Sequence, residues 1–291
     1  MTDSSPTPPT APRVAVVTVN YNSGRYLSEF LSSTRRASEE PLLVVVADNH
    51  SDDAAAAEAA TGSVGGSFVQ VGENLGYGGA INRAAASLPA SVEWILVSNP
   101  DVVLSPGVVD ELLAAAGSRP RVGAVGPAVL EADGSVYPSA RQVPSLRTGL
   151  GHALFANLWP GNPWTRAYHA DDAHDAARSA GWLSGSCLLV RRRLFDDLHG
   201  FDEHYFMYFE DVDLGHRIGR AGWVNLYHPA ARVVHVGAHS TRDSSARMRA
   251  EHHRSAYRFL SRKYDAWYLL PLRAGLAAAL ALRSRLHARR S

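Results

Sequence analysis

The run VAVVTVNYNSG at residues 14–24, echoed by LLVVVADNHSDD at residues 42–53, decides the fold of this chain. Each run opens with six residues that are aliphatic or β-branched without polar alternation, the pattern of a strand covered on both faces. Each then breaks abruptly into carboxamides, carboxylates or glycine. Phe68–Val71, Trp94–Val97 and Val122–Val125 repeat the apolar signal. Between these runs Arg25–Arg36, Asp52–Ala60, Gly78–Leu88 and Pro106–Ala116 have helical length, with Ser105 expected to cap the last helix and Pro106 to fill its first turn. Such alternation predicts an α/β chain, doubly wound, with a mostly parallel central sheet whose ligands bind at the carboxyl ends of the strands.

Those carboxyl ends are polar. Asn20-Tyr21-Asn22-Ser23-Gly24 follows the first run and Asp48-Asn49-His50-Ser51-Asp52-Asp53 the second. Asn74 to Asn82, with Gly76, Gly78 and Gly79, follows the third, and Asn99-Pro100-Asp101 the fourth. Any one of these clusters is an ordinary turn signal. Four in succession on one rim indicate a ligand site. The first strand is not followed by G-x-G-x-x-G, which counts against a dinucleotide dehydrogenase, and G-x-x-x-x-G-K-[ST] is absent. Trp182-Leu183-Ser184-Gly185-Ser186 does not fit the G-x-S-x-G elbow of α/β hydrolases.

Composition narrows the choice further. Among 291 residues, 46% are hydrophobic and 20% charged, which allows a large core and excludes wholesale disorder. Twenty-nine basic residues against 28 acidic ones argue against a general nucleic-acid binder. The single Cys187, set in an apolar stretch, excludes an internal disulfide framework and reads as a core residue. Met1 to Pro12 is Ser/Thr/Pro-rich and reads as a disordered leader, not a signal peptide. Basic charge gathers after Arg262. The nearest approach to a spanning helix, Trp267 to Leu282, is broken by Pro271 and Arg273.

The second half carries the most specific motif: Gly200-Phe201-Asp202-Glu203, then Tyr205-Phe206-Met207-Tyr208-Phe209-Glu210-Asp211-Val212-Asp213-Leu214. With the rim clusters, it resembles the inverting family 2 glycosyltransferases of fold A, over roughly Val14 to Ser240. Gly134 to Leu146, Asn162 to Thr165 and Gly181 to Arg192 make it most similar to the rhamnosyltransferases within that family. The resemblance implies transfer of L-rhamnose from dTDP-L-rhamnose to a polyprenyl-diphospho-GlcNAc acceptor in the arabinogalactan linker of a cell wall. Two other readings stay open: a family 2 enzyme with another nucleotide sugar and acceptor, and a degenerate nucleotide-sugar-binding scaffold. The donor base, thymine or uracil, is not separable by sequence.

The resemblance also implies roles. Asp48, in a pattern ending at Asp53, accepts the base N–H, a charge-assisted bond. Thr18, Asn20 and Tyr21 line the nucleotide floor with Asn49, while Asn74, Gly76, Tyr77, Gly79 and Asn82 form the wall near ribose and diphosphate. Asn99-Pro100-Asp101 stands where the family has D-x-D. Asp101 is therefore the one carboxylate of a divalent-metal site, Mg2+ or Mn2+, with His235 as second ligand and His239 as rival. Asp211 is the expected general base, with Glu210 beside it and Asp213 read as a first-turn capping acid. Trp182, Ser184 and Gly185 are assigned to the acceptor side.

The domain reading is a leader at 1–12 and a glycosyltransferase domain at 13–242, split into a nucleotide-sugar half at 13–127 and an acceptor and catalytic half at 128–242. Basic C-terminal helices at 243–291 then meet a membrane surface or a second copy of the chain. A cytoplasmic enzyme peripherally held on the inner face of the cell membrane is the expected localisation.

Overall fold

The computed structural model describes residues 11–145, 175–237, 246–271 and 274–275. β1 (Val14–Asn20) is buried along its whole length. Val14 and Val16 point into one apolar cluster, and Ala15, Val17 and Val19 into another on the opposite face. That two-sided burial explains the unbroken apolar run. β2 (Leu42–Asp48), β3 (Ser67–Gln70) and β4 (Trp94–Ser98) lie parallel to it in the order β3-β2-β1-β4. The crossovers are α1 (Arg25–Thr34), α2 (Ala54–Ser63) and α3 (Gly76–Ala86). On α1, Leu27, Phe30 and Leu31 are fully buried, each contributing roughly 1.5–3 kcal/mol of apolar burial.

β5 (Val102–Leu104) leads into α4 (Val108–Gly117). The residue preceding this helix is Gly107, not Ser105, because Gly107 adopts the left-handed conformation at φ 71° and a helix cannot begin before it. Asp110 and Glu111 supply first-turn acids.

The rest of the sheet is built by long-range returns. β6 (Val122–Glu131) pairs in parallel with β12 (Val224–His235), and six of the ten strands run the same way. β7 (Val136–Tyr137), β9 (Arg178–Ala180), β11 (Cys187–Arg191) and β5 run the other way, while β8 (Ala140–Arg141) and β10 (Trp182–Leu183) form a separate pair. The position 127/128 falls inside β6, so one continuous sheet serves both halves. β11 is wedged between β4 and β6, with Leu189 opposite Leu96 and Val125. Being antiparallel, it starts where the parallel strands end, which brings Ser184-Gly185-Ser186 onto the ligand rim. In β12 the register jumps between His228 and Arg232, and beyond it His235 stands opposite Val102.

Three further α-helices are seen among the described residues: α5 (Arg192–Asp197), α6 (Glu210–Arg220) and α7 (Ala246–Lys263). α7 docks on the segment that precedes α6. Phe259 is 2% exposed among Tyr205 and Val212, the Ser255 hydroxyl donates to Met207 O at 3.0 Å, and Arg262 bonds the Asp202 carboxylate. No helix among the described residues is long and apolar enough to cross a membrane. Residues 1–10, the stretch 146–174, His239, and the tail with Arg273 and Leu276 to Arg290 lie outside the described residues.

Candidate active site

The first corner of the rim is held by one carboxamide. The Asn20 Nδ2 group donates to Asp48 Oδ1 at 2.9 Å, Asp53 Oδ1 at 2.8 Å and Ser51 Oγ at 3.1 Å. Asp48 Oδ2 accepts the Ser51 amide and Asp53 Oδ2 the Gly24 amide. Asn20 and Asp48 are therefore the buried floor of a pocket corner, and Tyr21, 54% exposed, is the side chain that stands free above it. The Thr18 hydroxyl is buried on the same strand with no partner among the described residues.

Asn49 and Asn82 face inward. Asn49 donates to Asn74 Oδ1 at 2.8 Å and accepts the Leu75 amide at 2.9 Å, pinning the start of α3 to the end of β2. Asn82 brackets Phe201, accepting its amide and donating to its carbonyl, both at 2.9 Å. Gly76 has φ 76°, and a Cβ there would collide with Phe206 O, which accepts the Tyr77 amide. Gly79 leaves room only for Leu75. The glycine-rich wall is thus a latch between α3 and the segment 200–209, and glycine is required because two backbones touch.

That segment presents the acids. Tyr208 and Phe209 both have positive φ, 66° and 69°, a conformation costly for side-chain-bearing residues and characteristic of functional sites. α6 starts immediately after, so Glu210 and Asp211 stand in its first turn. Asp211 Oδ2 accepts the Gly185 amide at 2.9 Å, and Gly185 O accepts the Tyr77 hydroxyl at 2.7 Å. One residue, Gly185, therefore ties α3 to α6. Burial pushes Asp211 above the usual carboxylate range, against hydrogen bonds from Gly185 and Val212 that hold it down. Glu210 is pushed up to about 8 by burial and by the Asp211 charge, and its Oε2 has no partner among the described residues. Two adjacent carboxyls with raised proton affinity suit proton abstraction near neutral pH.

Asp213 does something else. It pairs with Arg217 at 2.6 Å, and Arg217 in turn donates to Leu198 O and Gly200 O. This clamp orients the 198–209 segment.

Asp101 meets His235 Nε2 at 2.9 Å, the contact that β5 and the β12 register jump create. Burial lowers the imidazole's proton affinity, but the Asp101 bond and charge outweigh it and raise the pKa overall. Gly237 is a glycine because any Cβ would strike the Asp101 carboxylate. No third His, Cys, Asp or Glu joins this pair among the described residues. One carboxylate and one imidazole fit a divalent cation whose other ligands are phosphate oxygens and water.

Among the residues expected on the acceptor side, the Ser184 hydroxyl accepts the Ser186 amide at 3.3 Å and lies 3.0 Å from the Ser186 hydroxyl, and Trp182 lies against Gly215 with its indole N–H on Gln142 O at 3.1 Å. Cys187 is buried in the core, its thiol pushed up to about 12 by burial. Sequence reasoning gave no role to Gly237, to Arg141, whose charge favours ionised Asp211, or to Ser255 and Phe259. Only Gly237, two residues past His235, carried a local signal.

Three comparisons bear on this geometry. The model of a family described as "Glycosyltransferase like family 2" matches residues 12–257. The chain is 48% identical over 285 residues, 95% of its length and 93% of the relative's, to the N-acetylglucosaminyl-diphospho-decaprenol L-rhamnosyltransferase of Mycobacterium tuberculosis. It is 40% identical over 82 residues to the rhamnosyltransferase WbbL of Escherichia coli, covering 28% of this chain and 31% of that one. A mannosyltransferase from Pyrobaculum calidifontis, solved with GDP-Man and Mn2+, superposes with a TM-score of 0.59 at 18% identity, over 96% of this chain and 78% of that one. The fold is that of the fold A glycosyltransferases.

Proposed function

The chain belongs to glycosyltransferase family 2, and from that premise we propose that it moves L-rhamnose from dTDP-L-rhamnose to a polyprenyl-diphosphate-linked GlcNAc. The observation that carries this reading is the match to the mycobacterial L-rhamnosyltransferase along nearly the full length of both chains. The site supports it with a nucleotide corner, a metal-competent pair and two raised carboxyls on one rim.

In the mechanism, Tyr21 and the Asn20–Asp48 floor hold the nucleotide base. Asp211 takes the proton from an acceptor hydroxyl of GlcNAc as that oxygen attacks C1 of the rhamnosyl group. The C1–O bond to dTDP breaks on the opposite face, so the anomeric configuration inverts. Gly185 N–H and Arg141 keep Asp211 ionised and oriented for this step. Asp101 and His235 would hold a divalent cation, which supplies Lewis-acid stabilisation of the departing diphosphate. Trp182 offers an indole edge on the acceptor side. Because the acceptor is lipid-linked, the enzyme works at a membrane surface, with the C-terminal basic and aromatic segment as its contact.

The test is dTDP release from dTDP-L-rhamnose with a short-prenyl GlcNAc diphosphate. Release that requires both substrates and yields a rhamnosylated lipid is expected. Faster turnover with GDP-mannose or a UDP-sugar would overturn the reading.

A further inference from the structure

Between α6 and α7 lies a cleft of about 460 Å³, away from the acid pair. At 3.6 residues per turn, Asp213, Arg217 and Arg220 lie on the face of α6 roughly opposite Asp211, so this cleft is not an extension of the acceptor site. Its walls are basic. Arg217 is committed to Asp213, and Arg262 to Asp202. Arg220 also lines the cleft but makes no hydrogen bond or ion pair among the described residues. Lys263 gives one bond, to Pro144 O at 2.8 Å, and has two further N–H groups. Asp265 is the one lining acid without a basic partner among the described residues. His216 senses the resulting field: burial, then the Lys263, Arg220 and Arg217 charges, push its imidazole below the usual range.

Immediately past Asp265 the surface changes character. Trp267, Tyr268 and Leu270 are 80%, 67% and 56% exposed, three of the five large exposed hydrophobic residues among those described. Indole and phenol rings beside cationic side chains suit the headgroup level of a bilayer, where one end of each ring is apolar and the other wet. We propose that the α6–α7 cleft, through Arg220 and Lys263, binds the phosphate of an anionic phospholipid headgroup while Trp267, Tyr268 and Leu270 enter the interface. This fixes how the enzyme sits on the bilayer, and it rests on the lipid-linked acceptor proposed above.

Flotation of the full-length protein with phosphatidylcholine vesicles, with and without phosphatidylglycerol, tests it. The wild type binds the anionic vesicles more tightly. Arg220→Gln with Lys263→Gln removes two headgroup cations and weakens that binding about thirtyfold, leaving the neutral-vesicle level unchanged. Trp267→Ser with Tyr268→Ser weakens binding to both kinds of vesicle. Undiminished anionic binding by the Arg220 and Lys263 variant overturns the proposal. So does equal thermal stabilisation of the wild type by inorganic phosphate and by phosphatidylglycerol vesicles, which would make the cleft a free-phosphate site. Turnover of a water-soluble short-chain acceptor stays at the wild-type level in every variant. Its absence in the wild type would sink the rhamnosyltransferase reading and leave the vesicle comparison standing.

Discussion

The two ends of the sheet place functional groups by different means. In β3-β2-β1-β4 each polar cluster simply follows its own strand, and short crossovers keep neighbours in sequence adjacent in space. In β11-β6-β12-β5 nothing is sequential. An antiparallel insertion delivers Gly185, a register jump delivers His235, and two left-handed aromatic residues deliver Glu210 and Asp211. The first arrangement makes a polar rim from local signals. The second makes a strained acidic rim that long-range contacts must hold in place, and the proposed division of labour should be visible in mutants.

The largest effect is expected at Asp211. Asp211→Asn removes the proton acceptor, and kcat should fall ~10²–10⁴-fold. Steady-state kinetics check this, and retention of more than a tenth of wild-type kcat would move the base to Glu210. Loss of the metal pair comes next. Asp101→Ala, or excess chelator on the wild type, should reduce kcat by about 10²–10³-fold if cation stabilisation of the leaving group is worth several kcal/mol. Gly237→Ala, whose methyl would displace the Asp101 carboxylate, should act in the same direction more weakly. Activity unchanged in chelator would contradict the metal assignment.

Stability should follow the latch between the two regions. Gly76→Ala places a Cβ against Phe206 O at a positive φ, so denaturant midpoints should drop by the equivalent of about 2–4 kcal/mol. Gly62→Ala, with nothing near its Cβ, should change little.

The last effect is a pH dependence of stability. Glu210 has its native pKa raised to about 8 from an ordinary value of 4.5, so the folded state holds a proton that the unfolded state releases between those values. Its contribution to stability is full below pH 4.5 and is lost as pH rises to about 8. Glu210→Gln should therefore flatten the decline in Tm between pH 5 and 8. Equal slopes in both proteins would show that Glu210 ionises normally.

How much was legible in sequence follows the same division. β1, β2 and β4 extend only one residue beyond their apolar runs, because two-sided burial admits one polar side chain inside those runs, Thr18. The carboxamide clusters were legible as a rim, but Asn49 bonds backbone at the start of α3 and Asn82 bonds the backbone of the distant Phe201, since an amide's partner depends on tertiary approach. Cys187-Leu188-Leu189-Val190 reads as a buried strand in either direction; only its neighbours β4 and β6 make it antiparallel. Positive φ at Tyr208 and Phe209 has no sequence signal, because aromatic residues rarely adopt it without tertiary support. Ser255 and Phe259 supply part of that support from some fifty residues away.

On the proposed mechanism, donor binding belongs to the first region and proton abstraction to the second. Calorimetric titration of dTDP into two variants tests it directly. Asp211→Asn should bind dTDP as the wild type does, while Tyr21→Ala, an exposed residue whose removal leaves the fold intact, should bind about tenfold more weakly through the lost contact with the base. Weakened binding by Asp211→Asn with wild-type binding by Tyr21→Ala would contradict the account.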